Sequence, residues 1–274
     1  MPVYNFRLWV LKYVILFLCA SLSGASFADK VNGNLIFKLP DGSIYEGGVD
    51  KNGLFSGQGV LTWSNKATYF GEFFNGMMHG KGVLTKADGA VHKGEFKQGV
   101  IIKGVIKEAN GTEFKGSFVN GLLEGVGEIF YYDGGKYQGR LENSYENGYG
   151  KLISPNGDVA EGHFVNGALH GEAQIKFGVG GSFQGNFVNG FKQGKGVFIY
   201  TNDDRYEGEF NNDNPNGYGV YVKHTGAKYE GHFYEGEFHG KGVYTSSSGS
   251  VIRGCFRYGE FLESCPKPTI KEID

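Results

Sequence analysis

One glycine returns almost every 23 residues, at Gly47, Gly71, Gly94, Gly116, Gly139, Gly162, Gly185, Gly208, Gly231 and Gly254. The steps between them are 24, 23 and 22, then 23 six times running. A period of this size marks an array of small units, each burying its apolar face against its neighbours. In a chain of 274 residues it favours one elongated array over two separate globules. Any catalytic motif must then stand out against a strong structural background.

Composition supports a packed array. Glycine supplies 48 residues without the triplet period of collagen. The 23 Phe and 17 Tyr argue against disorder, because so many rings must be buried. A net charge of −2 gives no bulk attraction for nucleic acid or anionic lipid.

Residues 1–28 read as a secretory signal peptide. Arg7 and Lys12 are its only charges, an apolar run covers Tyr13 to Ala20, and small residues follow. Ser26 and Ala28 stand at −3 and −1 for cleavage before Asp29. The alternative is an uncleaved membrane anchor, although 16 uncharged residues between Lys12 and Asp29 make a short span. Leu18 before Cys19 is too large for lipoprotein cleavage. The processed chain carries 25 basic and 29 acidic residues, a net charge of −4. It is expected in the periplasm or outside the cell. Its two cysteines, Cys255 and Cys265, are expected to form a disulfide in an oxidising compartment, with two free thiols as the alternative.

The repeat from Tyr69 to Gly89 shows the pattern most clearly. Two segments, Tyr69 to Phe73 and Gly80 to Thr85, alternate apolar residues with polar or small ones. Asn75-Gly76 lies between them and Asp88-Gly89 after them. Such alternation bounded by Asn-Gly and Asp-Gly predicts a β-hairpin per repeat. Parity puts on one face the aromatic two residues before each marker glycine, among them Tyr69, Tyr137, Tyr206 and Tyr229. The same face takes the aromatic two residues after it, including Phe73, Phe118, Phe164, Phe187, Phe210 and Phe233. The second strand adds Gly-x-Gly pairs such as 80/82 and 240/242. Glycine weakens an isolated strand, so its persistence predicts rings lying flat over bare backbone. The fold class is therefore all-β, an elongated single-layer antiparallel meander of tandem hairpins.

The register Tyr-x-Gly-x-Phe-x-x-Gly-x-x-x-Gly-x-Gly resembles the MORN repeat family. Tyr206-Glu207-Gly208-Glu209-Phe210, Tyr229-Glu230-Gly231-His232-Phe233 and His239-Gly240-Lys241-Gly242-Val243 are near its consensus. The resemblance covers ten repeats within residues 45–262, after a half-repeat cap at 29–44 and before a tail at 263–274. His92, Ala160 and Ile252 replace the leading aromatic, and the repeats at Gly94 and Gly139 lack parts of the glycine pattern. These departures are expected to mark irregularities or bends. The resemblance implies a scaffold, oligomerisation or membrane-association module.

No chemistry emerges from the repeats. His79, His170 and His239 share one repeat position. At about 10 Å per repeat, twice the strand spacing, they are too far apart to share a metal. The carboxylates Glu46, Glu72, Glu95, Glu161, Glu207, Glu209 and Glu230 read as a solvated face with cross-strand pairing to lysines. Gly-x-Gly recurs in strands without the strand-to-helix context of a phosphate loop, and Asn202-Asp203-Asp204 lacks calcium-loop spacing. The chain is expected to be no enzyme and to need no metal or cofactor. It is also expected to take no nucleic acid or small-molecule substrate. Its expected role is an exported scaffold binding a protein partner or its own copy. The candidate binding face is lined by Tyr69, Phe73, Phe118, Tyr137, Phe164, Phe187, Tyr206, Phe210, Tyr229 and Phe233. Peripheral membrane or phospholipid binding is the alternative.

Overall fold

The computed structural model describes residues 26–31 and 34–265, with side chains from Leu35 onward. Most of the predicted signal segment therefore lies outside the described residues, and only Ser26–Ala28 fall within them. The described residues fall into two compact units, divided between Ile101 and Ile102. The N-terminal unit holds β1 (Ser26–Val31), β2 (Asn34–Lys38), β3 (Ile44–Val49), β4 (Phe55–Thr62), β5 (Thr68–Phe74), β6 (Met77–Thr85) and β7 (Val91–Lys97). The division falls within β8 (Val100–Lys107). The C-terminal unit continues with β9 (Glu113–Val119), β10 (Leu122–Phe130), β11 (Lys136–Glu142), β12 (Tyr145–Ile153) and β13 (Val159–Val165). There follow β14 (Ala168–Lys176), β15 (Ser182–Val188), β16 (Phe191–Ile199), β17 (Arg205–Asn211) and β18 (Asn214–Val222). It closes with β19 (Lys228–Tyr234), β20 (Glu237–Thr245), β21 (Val251–Arg257) and β22 (Glu260–Leu262).

Strands β1 to β7 pair antiparallel in succession, as β4 does with β5, and so do β8 to β22, as β18 does with β19. The fold is the predicted all-β antiparallel meander, without helices among the described residues. Its turns follow from local chemistry. Asn75 and Gly76 both take positive φ, 50° and 77°, the combination a two-residue type I′ hairpin requires. At the opposite end, the Asn65 and Asp88 carboxyl or amide oxygens accept from the amides of Ala67 and Ala90 at 3.0 Å, fixing the longer turns as Asx turns.

The marker glycine sits beneath a ring. Tyr69 Oη donates to the carbonyls of Glu72 at 3.0 Å and His79 at 3.1 Å. Its ring covers Gly71 and Gly82, where an added Cβ would fall 2.7 Å from Oη and 2.5 Å from Cε2 respectively. Tyr45 covers Gly47 and Gly59, Tyr137 covers Gly139 and Gly150, Tyr206 covers Gly208 and Gly219, and Tyr229 covers Gly231 and Gly242 in the same way. Phe183 does so over Gly185 and Gly196 without a hydroxyl. The first glycine of each Gly-x-Gly has a different task. Gly57 and Gly194 adopt φ of +75° and +74° with open space around them, and they serve left-handed backbone geometry rather than ring seating. Parity alone groups these two glycines together.

A lid completes the core. The ring of Phe55 stacks on Tyr45 with centroids 3.7 Å apart, and Phe238 stacks on Tyr229 at 3.8 Å. Tyr45 and Tyr229 thus lie between glycine backbone and an apolar lid, while Phe73 and Phe233 meet them edge-on at 5.1 and 5.2 Å. Met78, Leu123 and Leu169 hold the lid position in other repeats and are buried. The tip amide of the next hairpin then donates to the lid carbonyl. Examples are Gly76 to Phe55, Gly190 to Leu169 and Gly236 to Pro215, all at 2.9–3.0 Å. This stacking within one layer lets a sheet bury rings without a second sheet or helix.

Candidate functional site

The ten rings read from sequence as a binding face are the core itself. Tyr69, Tyr137, Tyr206 and Tyr229 are 0% exposed, Phe187 1%, Phe164 2%, Phe210 3%, and Phe73, Phe118 and Phe233 4%. Alternation identified their shared side correctly, but the lid residues and neighbouring rings close it. A partner therefore finds almost none of their surface. Burial also pushes the hydroxyls of Tyr45, Tyr69, Tyr137 and Tyr229 up to about 12, because the phenolate would lose its water.

Several repeats, regular and irregular, place polar groups in or beside this core. His92 stands where a tyrosine seats elsewhere; burial first, then Lys86, pull it down to about 4. Its Nε2 is buried without a hydrogen-bond partner. The lid position carries Glu146, which accepts from Tyr131 Oη, and Lys192. The Lys192 Nζ lies 5.6 Å and 5.7 Å from the ring centroids of Phe183 and Phe198 and pairs with Asp213 at 3.1 Å. Asp204 is 4% exposed. Its carboxylate accepts from Tyr221 Oη and from the His224 amide at 2.8 Å, and meets His224 Nδ1 at 2.9 Å. These bonds hold it far below the usual carboxylate range. Asp158 and Ser43 make the equivalent reach, accepting from the amides of Gly178 at 2.9 Å and Ser64 at 3.3 Å. Asp204 is thus a tie between successive turns, and Asn202-Asp203-Asp204 is the plain turn its spacing implied.

The surface open to partners is the other face. Its central row runs in register Glu46–Val60–Phe70–Val83–Lys93 in the N-terminal unit. Phe70 is 61% exposed, and Phe74, on the same side of β5, is 57% exposed. In the C-terminal unit the same row runs Val105, Lys115, Glu128, Gln138, Lys151 and Glu161. Glu128 there pairs with Lys115 at 3.1 Å and Lys136 at 2.7 Å, the cross-strand pairing expected of this face. Glu207 and Glu230 instead pair along their own strands with Arg205 and Lys228, each at 2.6 Å. Phe70 could have been found in the sequence by aligning this column, where it replaces the Glu, Lys, Gln or Arg of the other repeats.

A second feature lies on the same face near the C-terminus. Residues of β18–β21 and Cys265 enclose a shallow depression of about 470 Å3, lined by Tyr218, Glu230, Lys241, Val243 and Arg253 over Gly231, Gly242 and Gly254. Cys255 and Cys265 are bonded, with Cα atoms 5.1 Å apart. No group of three or more His, Cys, Asp or Glu among the described residues could hold a metal ion. No helix among them is long and apolar enough to cross a membrane.

These features define a β-hairpin repeat protein whose ring-and-glycine core recurs along the chain. The chain belongs to the MORN repeat family, which matches residues 45–68, 69–91, 114–136, 137–159, 161–182, 183–205, 206–228 and 229–251. The unmatched stretches include residues 92–113, Ala160 and everything from Ile252 onward, where the three leading aromatics are replaced. The division between the two compact units falls in the first of them.

No curated protein matches the chain. Among solved structures, it is similar to the SAS-4 (dCPAP) TCP domain of Drosophila melanogaster in complex with a proline-rich motif of Ana2 (dSTIL). That match has 12% identity over 63% of this chain and 88% of that one, with a TM-score of 0.34. The TCP10 domain of Danio rerio CPAP with a STIL peptide matches at 11% identity over 83% and 96%, TM-score 0.34. Virginiamycin B lyase from Staphylococcus aureus matches at 11% over 71% and 68%, TM-score 0.15. Likenesses of this size do not bear on what the chain does.

Proposed function

We propose that the chain is an exported, non-enzymatic repeat scaffold that engages a protein partner, or a second copy of itself, through the outer face of its N-terminal unit. The carrying observation is Phe70, 61% exposed and flanked in register by Val60 and Val83. An exposed aromatic set between β-branched side chains loses little by burial and gains apolar contact on association. In this reading ten repeats, counting those at 92–113 and from Ile252, follow a signal peptide cleaved before Asp29. The Cys255–Cys265 bond supports an oxidising destination.

Photocrosslinking tests the reading. A benzoylphenylalanine placed at Phe70 should yield a discrete protein adduct in the native compartment, while the same probe at Glu207, the equivalent position in the C-terminal unit, should not. Equal adducts from both positions, or none from position 70, would overturn it. Co-sedimentation of the processed chain with anionic and neutral vesicles, unaffected by Phe70→Ser, would favour the lipid alternative instead.

A further inference from the structure

The depression at the C-terminal end has a charge arrangement that the fold does not require. Glu230 is already committed to Lys228 at 2.6 Å and to the Tyr218 hydroxyl at 3.1 Å. Lys241 and Arg253 have no side-chain hydrogen-bond or ion-pair partner among the described residues, and both are exposed. Lys241 lies opposite Cys255 and Val243 opposite Arg253, so the two cations are diagonal neighbours on β20 and β21. Such neighbours stand about 7–8 Å apart. Alternate side chains of an extended peptide are about 6.7 Å apart on one side. Two carboxylates spaced two residues apart would therefore meet both cations at once. A single compact phosphate would span that separation less well than two carboxylates carried on alternate residues. Val243 and the disulfide supply apolar contact beside the cations, and Tyr218, 48% exposed, supplies a ring at one wall.

We propose that this depression binds an extended acidic segment of a protein partner, with carboxylates at i and i+2 paired to Lys241 and Arg253, and that the Cys255–Cys265 bond completes the site by holding its Cys265 wall. The inference rests on the reading of the chain as a protein-binding scaffold, but it uses a surface separate from Phe70. The site is expected to be competent in the oxidised chain and to lose one wall on reduction.

Fluorescence anisotropy with a dye-labelled Ala-Glu-Ala-Glu-Ala peptide, titrated with the oxidised full chain at low salt, tests it. Saturable binding is expected, weakened about tenfold by the pair Lys241→Ala and Arg253→Ala. Cys265→Ser should also weaken it, and Phe70→Ser should leave it unchanged. Both cations are exposed, so unchanged thermal melting of their variant should separate lost binding from lost folding. Absence of saturable binding would overturn the site. So would equal binding of an Ala-Lys-Ala-Lys-Ala peptide, competition by inorganic phosphate at the peptide's own concentration, or indifference to the double variant. Unchanged binding by Cys265→Ser would overturn the role of the disulfide. Loss of peptide binding in Phe70→Ser would overturn the separation of the two surfaces. An unaltered titration in that variant beside a failed crosslink at position 70 would sink the Phe70 reading alone.

Discussion

The repeat at 69–91 and the repeat at 229–251 are nearly the same object on one side and different objects on the other. In the core, Tyr69 and Tyr229 are both fully buried, both donate to the carbonyl three residues on at 3.0 Å, and both cover two glycines. Outside, Phe70 faces Val60 and Val83, whereas Glu230 faces Val220 and Val243 and pairs with Lys228. The inner face is fixed by steric fit between ring and backbone, which tolerates little variation. The outer face meets water and can vary from repeat to repeat. Specific recognition in such an array is therefore to be sought in what differs, while the shared rings hold the sheet together.

Breaking the shared side should have the largest effect. Gly82→Ala and Gly242→Ala place a Cβ 2.5 Å and 2.6 Å from Cε2 of Tyr69 and Tyr229, and overpacking of this kind costs about 3 kcal/mol. The two losses should match in chemical denaturation; unequal losses would mean that the cores are not equivalent. Next, Cys265→Ser removes a constraint present only at the C-terminal end, closing an 11-residue loop. It should cost about 2–3 kcal/mol, read as earlier melting of β21 and β22 by hydrogen exchange, with the 69–91 repeat unaffected.

A third test concerns the seat that breaks the pattern. His92 is held near 4 in the folded chain against an ordinary 6.5, by burial and then Lys86, with Asp88 opposing. Between those values the unfolded chain binds a proton that the folded chain does not. Stability is thus full above about pH 6.5 and falls as the pH drops towards 4. Melting temperatures of wild type and His92→Phe should diverge across this window. Parallel curves would refute the buried placement of the imidazole. Smaller still, Tyr69→Phe and Tyr229→Phe each remove a hydroxyl bond worth about 1 kcal/mol, and Phe183 already shows the seat occupied by a bare ring. Phe70→Ser should change stability by no more than about 0.5 kcal/mol, although it removes the proposed contact.

Much of this was legible in the sequence. The 23-residue period, the Asn-Gly hairpins and the placing of rings over glycines all follow from local turn chemistry and parity. Parity could not say whether the aromatic side is open or closed. Closure depends on Phe55 and Phe238 lying over Tyr45 and Tyr229, residues ten and nine positions further along the chain, and alternation does not encode that reach. For the same reason the ten rings read as a binding surface while forming the core. The two roles within Gly-x-Gly were likewise hidden, because one glycine answers a backbone dihedral and the other a ring. The depression needed the structure outright, since it joins β18 to β21 with Cys265.

The central claim is that each tyrosine ring and the glycine beneath it are fitted to one another. A double-mutant cycle on Tyr229 and Gly242 measures that fit directly. If the ring is what excludes a Cβ, Gly242→Ala should cost about 3 kcal/mol in the wild type but under about 1 kcal/mol in a Tyr229→Leu background, where the space is vacated. An equal penalty in both backgrounds would contradict the account and place the glycine requirement in the backbone alone.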